Sequence, residues 1–188
     1  KEPYSTFTPY MTKAITLNVN KPSKTNVKTK VQNLDNDELK YQIPLKKLDE
    51  FYVFNKNINV KGGRSNALYI LKNIENQKQC DLKRSLCDYK STHLSAYIKF
   101  GCVSIREVYH TFVNKLGKNS GLVKQLYWRE FYYNLLYHFP ETYTKKRGLK
   151  SIYAKFPWSH DKIKYNKWCN GETGFPIVDA SMKNLNET

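Results

Sequence analysis

QLYWREFYYNLLYHFP, residues 125–140, holds four tyrosines, two phenylalanines and a tryptophan in sixteen positions, with Arg129 and Glu130 near its centre. Read at helical spacing, Gln125, Trp128, Arg129 and Tyr132 fall at i, i+3, i+4 and i+7, on one face. Leu122, Leu126, Tyr133, Leu136 and Tyr137 occupy the neighbouring faces. A helix that is apolar nearly all round belongs inside a protein. A buried Arg129 then requires a fixed anion, because an unpaired buried cation is costly. Glu130 is adjacent in sequence and is expected to point elsewhere. The anion is therefore another acidic side chain or a bound phosphate. An indole, a guanidinium and an amide on one face suit a flat heteroaromatic ligand with charged parts. Plain packing of Trp128 and a structural carboxylate for Arg129 is the alternative that the residues leave open.

Working outward, Pro140 stops this helix, which spans 120–138. Before it, SIREVYHTFVNKL (104–116) opens on a capping box, Ser104-x-x-Glu107, followed by Ile105, Val108, Tyr109 and Phe112 at helical spacing. STHLSAYIKFG (91–101) predicts a helix with Ser91 or Thr92 as cap and Gly101 as stop. RSNALYILKNIENQKQ (64–79) places Ala67, Leu68, Leu71 and Ile74 near one face and predicts another. After Pro140, FPWSHDKIKYNKWCNGETG (156–174) reads as a loop, a short helix and a turn. PIVDASMKNLNET (176–188) starts a helix with Pro176 in its first turn. At the front, YSTFTPYMTKA (4–14) reads as a short extended aromatic patch, and residues 18–37 as a polar linker. With no sustained strand period, the fold class is all-α with an irregular N-terminal segment.

The 188 residues carry 32 Lys and Arg against 16 Asp and Glu, a net charge of +16. Such a surplus points to a polyanion, most simply nucleic acid. A Lys- and Asn-rich bias in the first 60 residues is the other source for part of it. Aromatics at 14% are too many for a disordered chain. The length suffices for one domain with a core and hardly for two. No apolar run approaches the roughly 20 residues of a membrane span, and no secretory signal is visible, so no membrane partner is expected. Cys80, Cys87, Cys102 and Cys169 show no metal-ligand spacing. No metal site is expected, and the thiols read as those of a reduced, intracellular protein of unspecified compartment. A Cys80–Cys87 disulfide would need an oxidising one. The chain opens on Lys1 rather than methionine, so a piece of a longer protein is expected.

STHLSAYIKFGCVSIRE (91–107), QLYWREFYYNLLYHFPE (125–141) and WCNGETGFPIVDASMKNLNET (168–188) resemble, in order and spacing, the flavin-binding domain of the photolyase/cryptochrome family. YSTFTPYMTKA is similar to the segment that ends the family's N-terminal antenna domain, and GGRSNALYIL (62–71) to the start of its helical domain. The resemblance implies that residues 1–60 are a linker remnant and 61–188 the N-terminal part of an all-α domain binding flavin adenine dinucleotide (FAD). The family's Thr-Ser-x-Leu-Ser motif, which holds the FAD phosphates and ribityl chain, reads here Ser91, Thr92, His93, Leu94, Ser95. Hydroxyls and free N–H groups at a helix start suit a pyrophosphate. Plain capping is the other reading of Ser91 and Thr92.

Trp128 matches the tryptophan that stacks on damaged pyrimidines, and Arg129 a flavin-site arginine that also lies near the lesion. Tyr132 is expected beside them at the lesion. Trp158 matches the outermost tryptophan of the electron-transfer chain, with an exposed loop aromatic as the alternative, and Trp168 a nearby structural one. Arg84 matches a DNA-contacting arginine if a one-residue gap is allowed. Gln125 stands where cyclobutane-dimer enzymes usually carry glutamate, and so looks more like six-four photolyases and cryptochromes. GFPIVDASM (174–182) looks more like the cyclobutane-dimer enzymes, and this longer run is weighed more heavily. A tyrosine that often touches flavin in the family falls near Cys80.

The implied activity is light-driven, FAD-dependent repair of cyclobutane pyrimidine dimers in DNA, with reduced FAD as the active form. A six-four photolyase, a cryptochrome light receptor or a non-functional piece of a split gene are the alternatives. The family's Gly-Trp-x-His-Asn-Arg segment and an antenna domain with an unidentified chromophore are expected outside these residues. The chain alone is therefore expected to be inactive, with a second polypeptide as one source of the remaining half.

Overall fold

Ser120 opens the aromatic helix: its hydroxyl accepts from the Leu122 N–H at 3.3 Å, and the helix runs Gly121–His138. The computed structural model describes residues 3–23, 43–83, 85–86, 89–144 and 156–188, and among them all regular structure is helical. These residues fall into two compact units, Lys1–Pro22 with Val60–Ser159, and Ser23–Asn59 with His160–Thr188.

The first unit contains α1 (Phe7–Ala14), α2 (Arg64–Lys72), a 3₁₀ turn (Ile74–Gln77), α3 (Cys80–Lys83), α4 (Leu94–Lys99), α5 (Ile105–Leu116), α6 (Gly121–His138) and α7 (Glu141–Thr144). Its core joins Ala67, Leu71 and Ile74 to Leu94, Tyr97 and Val103, to Val108 and Phe112 of α5, and to Leu122, Val123, Leu126 and Tyr127 of α6. Burying each large apolar side chain contributes about 1.5–3 kcal/mol, which is what holds the short helices in place. The buried Tyr97 satisfies its hydroxyl on the Lys61 carbonyl at 2.6 Å. Among the described cysteines, Cys80, Cys102 and Cys169 are free thiols, and Cys87 lies outside the described residues.

Three sequence expectations are corrected here. YSTFTPYMTKA is helical over Phe7–Ala14 rather than extended, because Pro9 sits in the first turn, where its missing N–H has no intrahelical role. The helix expected over 64–79 breaks at Asn73 into α2 and the 3₁₀ turn. The capping box is half made: Ser104 Oγ accepts from Glu107 N–H at 3.1 Å. The Glu107 carboxylate instead receives Arg64 Nη1 and Nη2 at 3.1 and 2.9 Å, while Nη1 also reaches the Cys102 carbonyl at 2.9 Å. That fork ties α2 to α5 and to the turn before it.

The start of α6 is held from α3. Asp81 Oδ2 accepts from Gly121 N–H at 2.8 Å, satisfying a donor that no helical carbonyl reaches. The approach requires glycine, since a Cβ at position 121 would lie 1.5 Å from Asp81 Oδ1.

The second unit holds a 3₁₀ helix (Leu45–Glu50), α8 (Lys162–Asn170) and α9 (Pro176–Glu187). Asp161 caps α8 by accepting from Ile163 and Lys164 N–H groups at 2.9 and 3.1 Å, and Gly171 ends it in the left-handed region at φ 68°. Between the helices Asp179 accepts from Thr173 N–H at 2.8 Å, Thr173 Oγ1 at 2.6 Å and Gly174 N–H at 3.0 Å. Asn55 and Asn59 tie the preceding segment to the end of α9, through the Glu187 carbonyl at 2.9 Å and Thr188 Oγ1 at 3.1 Å.

Two outcomes are expected. Asp81→Ala should lower unfolding free energy in urea by about 1 kcal/mol. Gly121→Ala, which helix propensity alone would favour, should also destabilise, and the double variant should lose less than the sum, because both changes break one bond. Strict additivity would show that the two residues act separately. Second, the Thr173 hydroxyl, and then the Thr173 and Gly174 N–H groups and Lys183, hold the Asp179 carboxyl below its ordinary value, against the opposing effect of burial. This contribution is present above the unfolded-state value and is lost as pH falls through and below the ordinary carboxylate range. Hydrogen exchange at Thr173 and Gly174 should accelerate relative to the α8 amides on acidification, and Asp179→Asn should abolish that pH dependence.

Candidate functional site

The loop entering α4 turns sharply at His93, whose φ of 51° is left-handed, an uncommon state for a residue with a Cβ. The turn buries Leu94 and brings residues 91–95 against the flank of α6. Between them lies a cleft of about 560 Å³, within the range of small-molecule sites. Leu94, Val108, Phe112, Leu122 and Leu126 supply its apolar lining. Its polar groups are the Ser91, Thr92 and Ser95 hydroxyls, His93, the Gln125 amide, Lys99 and the Arg129 guanidinium.

The N-cap residue of α4 is His93, with no side-chain capping bond, rather than the Ser91 or Thr92 expected from the sequence; Thr92 Oγ1, one residue further out, accepts from the Leu94 N–H at 3.3 Å. The Ser91 and Ser95 hydroxyls and the Gln125 amide have no side-chain partner among the described residues. Helix α4 is six residues long, shorter than the helix read over 91–101, so its dipole contributes little. The groups in the cleft that an anion could use are hydroxyls and cations.

Arg129 departs from expectation in two ways. Its side chain is half-buried rather than enclosed, and Nη1 pairs with Glu130 Oε1, the neighbour expected to point away. Long side chains on adjacent residues can curl toward each other at a helix surface, and the exposed C-terminal half of α6 leaves room to do so. Tyr132, Tyr133, Leu136 and Tyr137 are exposed, which corrects the reading of α6 as enclosed along its whole length. The Arg129 guanidinium also lies over the Tyr133 ring at 4.5 Å from its centroid. A pair this exposed is worth at most about 1 kcal/mol and leaves most of the five N–H donors available.

The face read from the sequence divides. Gln125 and Arg129 line the cleft, whereas Trp128 and Tyr132 do not. The Trp128 indole stacks on Phe7 of α1, with centroids 3.6 Å apart and planes 6° apart, and on Tyr132 at 5.7 Å and 27°. Trp158 is exposed in the loop before α8 and packs against Phe156 at 4.7 Å. Arg84 lies outside the described residues.

Sequence reasoning did not single out Lys99, Tyr133 or Phe7. Tyr133 was legible, since an aromatic four residues beyond an arginine can underlie it. Phe7 was not, because its contact partner lies more than a hundred residues away. On another flank of α6 a second cavity of about 410 Å³ is lined by Tyr10, Tyr109, Tyr127 and Glu130 among others. Burial first, and then the Tyr109 hydroxyl 3.4 Å away, push the Tyr127 phenol well above its ordinary value, so it stays protonated. Among the described residues no acidic, His or Cys cluster could hold a metal ion, and no helix is long and apolar enough to cross a membrane.

A family model described as the FAD binding domain of DNA photolyase matches residues 122–188. A deoxyribodipyrimidine photo-lyase of Alkalihalophilus pseudofirmus is 41% identical over 98 residues, covering 50% of this chain and 20% of that protein. One of Buchnera aphidicola is 34% identical over 180 residues, covering 84% of this chain and 37% of that protein. Cryptochrome-1 of Rattus norvegicus is 38% identical over 103 residues, covering 51% of this chain and 17% of that protein. The chain thus spans well under half the length of these relatives. Fold and matched segment define an all-helical domain of the kind that flavin-dependent photoproteins carry. The chain belongs to the photolyase/cryptochrome family.

The cleft's electrostatics give a direct test with inorganic pyrophosphate as probe. Arg129→Gln should weaken binding, and Glu130→Gln, which frees the guanidinium, should strengthen it about threefold to fivefold, both measured calorimetrically at low salt. Equal affinities in all three proteins would remove Arg129 from anion binding.

Proposed function

We propose that this chain is part of a deoxyribodipyrimidine photo-lyase that binds FAD and uses blue light to split cyclobutane pyrimidine dimers in DNA. The observation that carries the reading is the meeting of residues 91–95 with Gln125 and Arg129 around one cleft, two stretches far apart in sequence. The names of the photo-lyase relatives point the same way.

The residues present fit a flavin dinucleotide. Unpartnered hydroxyls and two cations, Lys99 and Arg129, suit its pyrophosphate, and the apolar floor suits flat ring surface. Reduced FAD, when bound, supplies an electron donor that light can excite. Ser91, Thr92 and Ser95 orient the phosphates, with His93 and Leu94 shaping the turn that presents them. Gln125 offers an amide to a ring edge, and the apolar walls exclude water. Trp158, exposed at the surface, is the outer electron relay. Residues 61–188 supply the front of the FAD domain, and an antenna chromophore belongs to another domain.

For DNA, photolyases as a class take the target out of the base stack. Trp128 gives the extruded pyrimidines an aromatic surface, with Gln125, Arg129 and Tyr132 near it and Arg84 on the backbone. Stacking of one base on an aromatic side chain is worth about 1–3 kcal/mol. The net charge of +16 adds sequence-independent phosphate attraction that weakens with salt.

A second reading, a cryptochrome light receptor, is favoured by Gln125 in the cleft and by the cryptochrome relatives. Blue-light restoration of a cyclobutane-dimer oligonucleotide by the full-length product with FAD separates the two. Repair of that lesion supports the first reading. Its absence despite flavin binding favours the second, and repair of a six-four lesion alone would redirect the specificity. Within the first reading, Trp128→Ala should weaken dimer-containing DNA at least tenfold and undamaged DNA little. Equal losses for both would take Trp128 out of the lesion site.

A further inference from the structure

In the proposed function an extruded base stacks on Trp128, yet this indole already has two stacking partners. Phe7 lies face to face with it at 3.6 Å and 6°. That is contact distance for stacked rings, so no base can enter on this face. Tyr132, one turn along α6, stacks on the same indole at 5.7 Å and 27°. Phe131 meets Phe7 and Trp128 edge-on, at 5.7 Å and 75° and at 5.8 Å and 79°.

The two partners are held very differently. Phe7 is half-buried in the first turn of α1, whose Met11 and Ala14 also pack on the core, and the buried Phe131 braces it. Tyr132 is 55% exposed, and its hydroxyl has no partner among the described residues. A ring fixed on both sides by core contacts does not leave without moving α1. An exposed tyrosine leaves by a rotation about χ1, on the nanosecond scale of surface side chains.

We propose that Phe7 is a fixed backing plate that sets the plane of the Trp128 indole, and that Tyr132 is a displaceable cover on its open face. Without nucleic acid Tyr132 occupies the place of a base, and an extruded pyrimidine takes that place when Tyr132 swings out. Phe7 is then a positioning residue, and Tyr132 an intramolecular competitor that raises the threshold for stacking any base. This cost is the same for a base from a lesion and for one from a normal pair, so the cover sets how readily any base is stacked, while the preference for lesions comes from their cheaper extrusion. The proposal rests on the reading that Trp128 stacks a base.

The test measures fluorescence anisotropy of the full chain on an oligonucleotide with one thymine cyclobutane dimer and on its undamaged control. Loss of one stacked aromatic pair corresponds to about a twofold to tenfold change. Tyr132→Ala should tighten binding of the dimer oligonucleotide by that factor, and Phe7→Leu should weaken it, with Phe7→Tyr restoring it. A second readout needs no DNA. With Trp158 and Trp168 replaced by phenylalanine, Trp128 emission should shift to the red in Phe7→Leu, and its quenching by acrylamide should rise in Tyr132→Ala. If Trp128→Ala loses discrimination while Tyr132→Ala weakens dimer binding, Tyr132 is part of the stack and this inference fails alone. If Trp128→Ala leaves discrimination intact, the base-stacking reading fails and takes the inference with it.

Discussion

Burial of the first half of α6 is the constraint on which the first unit depends. Leu122, Val123, Leu126, Tyr127 and Phe131 are enclosed, and α5 and the short helices find their packing partner there. With these residues locked, the rotation of α6 about its axis is fixed. One stripe, Leu122, Gln125, Leu126, Arg129 and Tyr133, then faces the 91–95 loop, and Trp128 with Tyr132 faces another way. A single packing decision thus places both a polar cleft and an aromatic platform on one helix. Asp81 and Ser120 hold the start of that helix, where a free rotation would otherwise begin.

Much of this was legible in the residues. The Ser104 cap, Pro176 in the first turn of α9 and the stop before Pro140 follow local rules that few tertiary contacts override. The grouping of 91–95 with Gln125 and Arg129 was carried by the resemblance, since no periodicity links segments so far apart. The supposed single face failed for a geometric reason. At 3.6 residues per turn, i+3 and i+4 fall on opposite sides of i, about 100° apart. Two such residues flank one line on the helix, yet they border different neighbours when elements pack on either side of it. Trp128 and Arg129 are that case. The helicity of residues 7–14 was hidden because its apolar face exists to meet α6, and the peptide alone is too short to be stable.

Electrostatically the site is less extreme than the sequence suggested. Arg129 was read as a buried cation in need of rescue, but the second half of α6 is open and the guanidinium has both Glu130 and Tyr133 within reach. A cation so placed is not obliged to hold an anion for the fold to survive. It can exchange one partner for another as a guest arrives and leaves. The carboxylate beside it is a local competitor for the guanidinium, which any anion entering the cleft has to displace.

The left-handed turn at His93 has a consequence of its own. A β-carbon in that region costs on the order of 1–2 kcal/mol, which the burial of Leu94 and the Thr92 bond offset. The lip of the cleft is therefore bent beforehand, and a guest need not spend its own affinity on ordering it. Glycine at this position would relieve the backbone but let the lip wander among many shapes. The histidine exchanges adaptability for readiness, so the crevice meets whatever enters it with its rim already shaped.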